Sequence, residues 1–311
     1  VDDVSPAVAA GDVYQLSQLE GADDLRLSFY RPAGAPDTLR FKVYRAGGDI
    51  ALSEVLPLLE NLGLRVLTEH VYPVGGEMNL AIQDFEVQPV GTLAFDVAEV
   101  GSLFEDAFAA VWHGQAENDG FNRLVLGARL DWRQVAMLRG YCKYLLQAGT
   151  TFSQAYMEAT LNRYPATTGL LVELFLAKFD PAREALSAAD RDAAAARFRA
   201  EMAALIPATV QSRDGGLVER LAGVLAQPRA AQVKGIEEAI NALLENVASL
   251  DEDRILRGFV AVIHATLRTS YFQRWDGAFR DYISYKLDSH QVPTLPKPVP
   301  YREIWVSAPR V

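Results

Sequence analysis

Only one cysteine, Cys142, occurs in the chain, which excludes an internal disulfide and fits a reducing compartment. Placed mid-helix between Tyr141 and Lys143, it reads as a small buried hydrophobe rather than a reactive thiol. The four histidines, His70, His113, His264 and His290, are far apart and none has a partner at i+3 or i+4. A structural zinc site would need more cysteines, so no metal ligand is assigned. No apolar run reaches the roughly 20 residues that span a bilayer, and no signal peptide opens the chain; the expectation is a soluble cytoplasmic protein with no membrane partner. The glycine pairs Gly47-Gly48, Gly75-Gly76 and Gly215-Gly216 never form G-x-G-x-x-G after a strand, so the dinucleotide-binding turn is absent. With 40 acidic against 30 basic residues, a net charge of −10 argues against nucleic acid as a partner. Asp24, Asp37, Asp288 and Glu303 have no base or nucleophile near them in sequence, and no catalytic residue is assigned.

What is present is an ordinary globular composition, half hydrophobic, long enough for two domains and an extension. Ser5-Pro6 reads as a helix cap and first turn, opening a helix to Leu19 that Gly21 ends. Leu25, Leu27 and Phe29 alternate with polar neighbours, as do Leu39, Phe41 and Val43, which predicts two strands. Leu52 to Leu62 has helical spacing with Pro57 placed in the first turn, Leu64 to Tyr72 and Met78 to Val87 read as strands, and Gly101 to Trp112 as a helix. From Phe121 the apolar period becomes helical through Thr269, and after Tyr282 the pattern returns to strands. The predicted class is therefore α+β: a ferredoxin-like sandwich, an all-α domain and a short C-terminal strand extension. The boundaries are an N-terminal helix and linker over 1–21, the α+β module over 22–113, the helical domain over 114–281, and a strand and Pro-rich stretch over 282–311.

Three stretches carry distinctive wording. Phe121 to Pro181 opens on Asn122-Arg123-Leu124, runs through LDWRQVAMLRGYCKYLLQ and closes on Lys178-Phe179-Asp180-Pro181. Leu39 to Val74 reads LRFKVYRAGGDIALSEVLPLLENLGLRVLTEHVYPV, and Tyr285 to Val311 reads YKLDSHQVPTLPKPVPYREIWVSAPRV. Together they resemble the large bacterial NAD-specific glutamate dehydrogenases, respectively a helical region, an ACT-like module and the lead-in to the catalytic part. The resemblance implies a homo-oligomeric parent that oxidises L-glutamate with NAD. It also implies that this chain, starting at Val1 without methionine and holding neither the NAD turn nor a substrate lysine, is a middle piece with no cofactor of its own and no activity. The last strands would then belong to a sheet completed elsewhere.

In ACT modules generally, small regulatory ligands, often amino acids, bind at a loop that joins a strand to a helix and at the helix start that follows. Here that loop is Ala46-Gly47-Gly48-Asp49-Ile50. Paired glycines let a ligand approach the backbone, and free N–H groups at a helix start favour a carboxylate, although the same glycines serve a plain tight turn equally well. Arg139, Lys143 and Gln147 line one helix face, read either as solvated or as docking an acidic neighbour. Arg268, Tyr271, Phe272, Arg274 and Trp275 form an aromatic-basic cluster of the kind that anchors interdomain contacts. The expected partners are the remaining domains of the parent, identical subunits and an amino-acid effector. A stand-alone amino-acid sensor, or an interaction module without ligand, are the alternatives.

Overall fold

The computed structural model describes residues 6–309 apart from 22–23, 36, 76–78, 92–94, 207–209, 211–215 and 294. The Ser5 cap and the Gly76 and Gly215 turn positions lie outside the described residues. The chain divides into two compact units, Val1–Gly114 and Gln115–Val311.

The first unit holds α1 (Pro6–Ser17), β1 (Leu25–Tyr30), β2 (Leu39–Arg45), α2 (Leu52–Asn61), β3 (Leu64–Gly75), β4 (Leu80–Pro89) and α3 (Val97–Trp112). All neighbouring strands are antiparallel, in the order β1-β2-β4-β3. From β2 onward the succession β-α-β-β-α is ferredoxin-like, and the last strand that such a sandwich requires is supplied from the N-terminal side by β1. Register puts Phe29, Phe41 and Phe85 in one row across three strands. They meet α3 through Phe104 and Phe108, whose rings lie 5.2 and 5.0 Å from Phe41. This aromatic layer is the core of the module.

The opposite sheet face is polar. Lys42 and Tyr44, one strand pleat apart, both reach Asp12 of α1: Lys42 Nζ donates to each carboxylate oxygen at 2.8 Å and the tyrosine hydroxyl at 2.7 Å. Arg40 pairs with Asp84 on the facing strand at 2.8 Å. Leu16 and Leu19 close over Tyr44 and Ile82. Two details differ from the sequence reading. Helix α2 starts at Leu52, so Pro57 sits in its interior rather than its first turn, and the Ser53 carbonyl loses its i+4 donor. Helix α3 begins earlier than Gly101, because Asp96 caps it by accepting from Ala98 N–H.

The second unit is helical at first: α4 (Leu124–Gly127), α5 (Trp132–Gln147), α6 (Gln154–Arg163), α7 (Pro165–Phe179), α8 (Pro181–Ala185), α9 (Ala188–Leu205), α10 (Leu217–Leu225), α11 (Arg229–Leu244) and α12 (Leu250–Ala265). Asp131 and Gln134 form a capping box on α5, and Ser153 caps α6. Helix α7 is buried from Ala166 to Ala177 on nearly every side, with Pro165 in its first turn and Pro181 beyond its end. The ends of the helices are tied to one another. Arg229 donates to the Ala177 and Lys178 carbonyls at the end of α7, and Lys178 Nζ donates at 2.8 Å to the carbonyls of Ile263 and His264 at the end of α12. Cations belong at helix C-termini. Burial lowers the Lys178 ammonium to about 8.

The chain then enters β5 (Thr266–Thr269), where helix was expected to continue, and forms a hairpin of β6 (Arg274–Trp275) and β7 (Ala278–Phe279) before β8 (Ile283–Leu287) and β9 (Glu303–Ser307). Strands β5, β8 and β9 make an antiparallel sheet in the order β5-β8-β9. β8 therefore finds both its neighbours within the chain, and β5 and β9 form the edges of this sheet. The layer also lies directly on α5. Tyr285 is fully buried and its hydroxyl donates to the Met137 carbonyl at 3.2 Å, while the Trp305 indole donates to the Gly140 carbonyl at 3.0 Å.

Gly140 makes this packing possible. A Cβ there would stand 2.7 Å from the Tyr285 oxygen, well inside van der Waals contact. Gly140→Ala is expected to destabilise the chain by about 1–3 kcal/mol through overpacking, measured as a shift in the urea midpoint. A midpoint equal to that of the native chain would mean that the strand layer does not rest on α5.

Candidate functional site

The predicted loop sits where β2 hands over to α2. Ala46 and Ile50 are buried, and Gly47 and Asp49 are exposed. Gly47 and Gly48 have φ of 93° and 97°, a region that side chains with a Cβ avoid. A Cβ on Gly48 would lie 3.0 Å from the Asn79 side chain, which leans over the loop from the start of β4. No side chain caps α2, whose N-cap residue is Ala51.

Gln83 was not singled out by sequence reasoning, yet it fixes this loop. It occupies an inward position of β4 between Ala81 and Phe85, and is 1% exposed. Its amide accepts from Ile50 N–H at 2.7 Å, returns a bond to the Ile50 carbonyl at 2.9 Å, and also donates to Glu69 at 2.9 Å. The loop is thus pinned to the sheet through both backbone groups of one residue. A glutamine among inward apolar positions was the available signal, because a buried amide demands partners.

The row on α5 is placed differently along its length. Arg139 is 3% exposed and forks onto Asp119 with two bonds of 2.8 Å, adding Asn122 Oδ1 at 2.7 Å. Lys143 pairs with Glu117, while Gln147 is exposed. The acidic groups that meet Arg139 and Lys143 thus come from the segment just before α4, in the same unit. Gln154 and Glu158 of α6 extend the network, and desolvation raises the Glu158 carboxyl above its usual range. The aromatic-basic cluster also divides. Tyr271 is buried edge-on against Phe175 at 5.2 Å and Phe272 stacks on the same ring at 6.1 Å. Arg268 and Arg274 are exposed, and Trp275 is 68% exposed.

Three of the carboxylates considered in the sequence have partners close by. Asp24 accepts from Glu20 N–H, Asp288 pairs with Arg302 at 2.9 Å, and Glu303 accepts from the Tyr144 hydroxyl at 2.5 Å. Cys142 is buried against Met157, and burial pushes its thiol up to about 12. Among the described residues no group of His, Cys, Asp and Glu is arranged to hold a metal ion, and no helix is long and apolar enough to cross a membrane.

Comparison with known proteins follows the same division. Residues 24–100 match the family "Glutamate dehydrogenase, ACT3 domain", 116–181 match "Glutamate dehydrogenase, helical motif 3", and 239–311 match "Bacterial NAD-glutamate dehydrogenase, catalytic domain". The last match begins within α11, N-terminal to Tyr282, and takes in α12 and the whole strand layer. The NAD-specific glutamate dehydrogenase of Halomonas elongata is 36% identical over 100% of this chain, and that of Mycobacterium tuberculosis is 37% identical over 99%. The enzyme of Pseudomonas aeruginosa is 36% identical over 99% of the chain. This chain is related along its length to one segment of the NAD-specific glutamate dehydrogenases. It spans 17% of the length of each of these relatives.

Arg139→Met is expected to cost about 3–5 kcal/mol, since it strands the Asp119 carboxylate in a part-buried site. Chemical denaturation monitored by circular dichroism measures it. A loss below about 1 kcal/mol, the range of an exposed pair, would mean that the fork onto Asp119 is solvated.

Proposed function

We propose that this chain is a non-catalytic regulatory and scaffolding segment of a cytoplasmic NAD-dependent glutamate dehydrogenase. The whole protein would convert L-glutamate, NAD and water to 2-oxoglutarate, ammonium and NADH as a homo-oligomer, with NAD and substrate held by parts other than this one. The observation that carries the reading is order: ACT3 domain, helical motif and the catalytic-domain match follow one another along a chain that aligns throughout with the same enzymes. The lack of a G-x-G-x-x-G turn supports placing the chemistry elsewhere.

Within this reading, Ala46–Ile50 receives an amino-acid effector. The open backbone at Gly47 and Gly48 admits the ligand, and the uncapped start of α2 favours its carboxylate. The Gln83 bridge would carry the loop's position into β4, and from there into the sheet. The exposed Arg274 and Trp275 are the groups available for contact with remaining domains or identical subunits.

The 311-residue chain is expected to show no glutamate-dependent NAD reduction. Turnover that scales with its concentration would move the chemistry into this segment. Calorimetric titration with amino acids tests the loop. Gly48→Val is expected to abolish the heat of binding, while Gly34→Val, at a φ of 84° with open space around it, controls for backbone strain alone. Equal binding by both variants would return the loop to a plain turn.

A further inference from the structure

A cavity of about 240 Å³ in the second unit lies beside the Arg139 network and shares Arg139 and Glu117 with it. Its walls are the first turns of α5, the strand β7 with the residues after it, and the ends of β8 and β9. At roughly 30 Å³ per water, it holds a ligand of fewer than about ten heavy atoms. Trp132, Phe279 and Ile283 give it apolar sides, and Arg133, Arg139 and Arg280 bring three guanidinium groups to its surface.

The charges are unevenly satisfied. Arg139 is neutralised by Asp119, and Glu117, which also lines the cavity, is taken by Lys143. Arg133 and Arg280 have no ion-pair partner among the described residues. Arg133 is half-buried against the Phe279 and Tyr271 rings, with its guanidinium carbon 3.8 and 5.0 Å from their centroids. One of its terminal nitrogens donates to the Tyr271 carbonyl at 2.8 Å, and its Nε is buried with no acceptor among the described residues. Arg280 lies over the Trp275 ring at 4.7 Å. Asp131 is the acidic group that acts on Arg133, from beyond ion-pair distance, so the guanidinium, half-withdrawn from water onto aromatic faces, keeps an unsatisfied donor among the described residues. Asp281 adds one acceptor at the same cavity, so its unpaired groups sum to a single positive charge.

We propose that this cavity binds a compact oxyanion that also carries a donor group, such as hydrogen phosphate or a small hydroxycarboxylate. Arg133 and Arg280 grip the anion, Asp281 accepts from its hydroxyl, and Trp132 and Phe279 shield the pair from water. Guanidinium forks match carboxylate and phosphate geometry, and a lysine cannot replace them. The site is formed jointly by the helical part and the strand layer, so occupancy would hold β7, β8 and β9 against α5.

The test is calorimetric titration of the intact chain with inorganic phosphate and, separately, with malate. Binding is expected from at least one, weakened about tenfold or more in Arg280→Gln and in Arg133→Lys. Arg302→Gln, at a residue paired with Asp288 away from the cavity, should leave affinity within about twofold, since it reports only general charge loss. Should Arg133→Lys fail to fold by circular dichroism, Arg280→Gln decides alone. No heat with either probe at millimolar concentration, affinity unchanged in Arg280→Gln, or an equal loss in Arg302→Gln would each overturn the proposal.

Discussion

The close approach of Tyr285 to the backbone of α5 at Gly140 is the contact on which the second unit depends. At this separation a side chain on the helix would occupy the space of the tyrosine ring, and Gly140 leaves that space to Tyr285. Its hydroxyl reaches the Met137 carbonyl and its ring packs 4.6 Å from Tyr141. Tyr141 in turn shares a 3.0 Å bond with the hydroxyl of Thr266, the first residue of β5. Three residues thereby fix two strands and a helix, and the cavity between α5 and the strand layer exists because that spacing is held.

Charge is divided as unequally as architecture. The first unit contains eighteen acidic and six basic residues, a net of −12, while the second carries 22 acidic and 24 basic residues, a net of +2. The overall −10 is thus a property of the ACT-like module alone. A net charge of −12 makes the general field of this unit repel anions at long range.

The module was legible because its strands alternate cleanly: Phe29, Phe41 and Phe85 fall on one face by parity alone. The helix caps at Asp131 and Ser153 are likewise local chemistry, although Asp131 was not singled out in the sequence. What escaped was non-local. Arg139 and Lys143 at i and i+4 look like a solvated stripe, since their acidic partners lie more than a helix length upstream in sequence. Thr266 to Thr269 continues α12 without glycine or proline, and becomes a strand only because β8 offers it a ladder. The Asp276-Gly277 pair, whose φ values of 50° and 79° suit a tight hairpin turn, was a local signal present but not used. Gln83 was hidden in the opposite way, in a position whose pattern was correctly assigned but whose chemistry was not.

Helix α12 passes into β5 without an intervening loop. Thr266 lies in the strand while its hydroxyl still donates to the Val262 carbonyl of the helix, and the helix end is gripped by Lys178 from α7. Such a joint has no slack. Any tilt of α12, or of the α7 helix that clamps it, is delivered to β5 as a change of strand angle rather than absorbed in a flexible link.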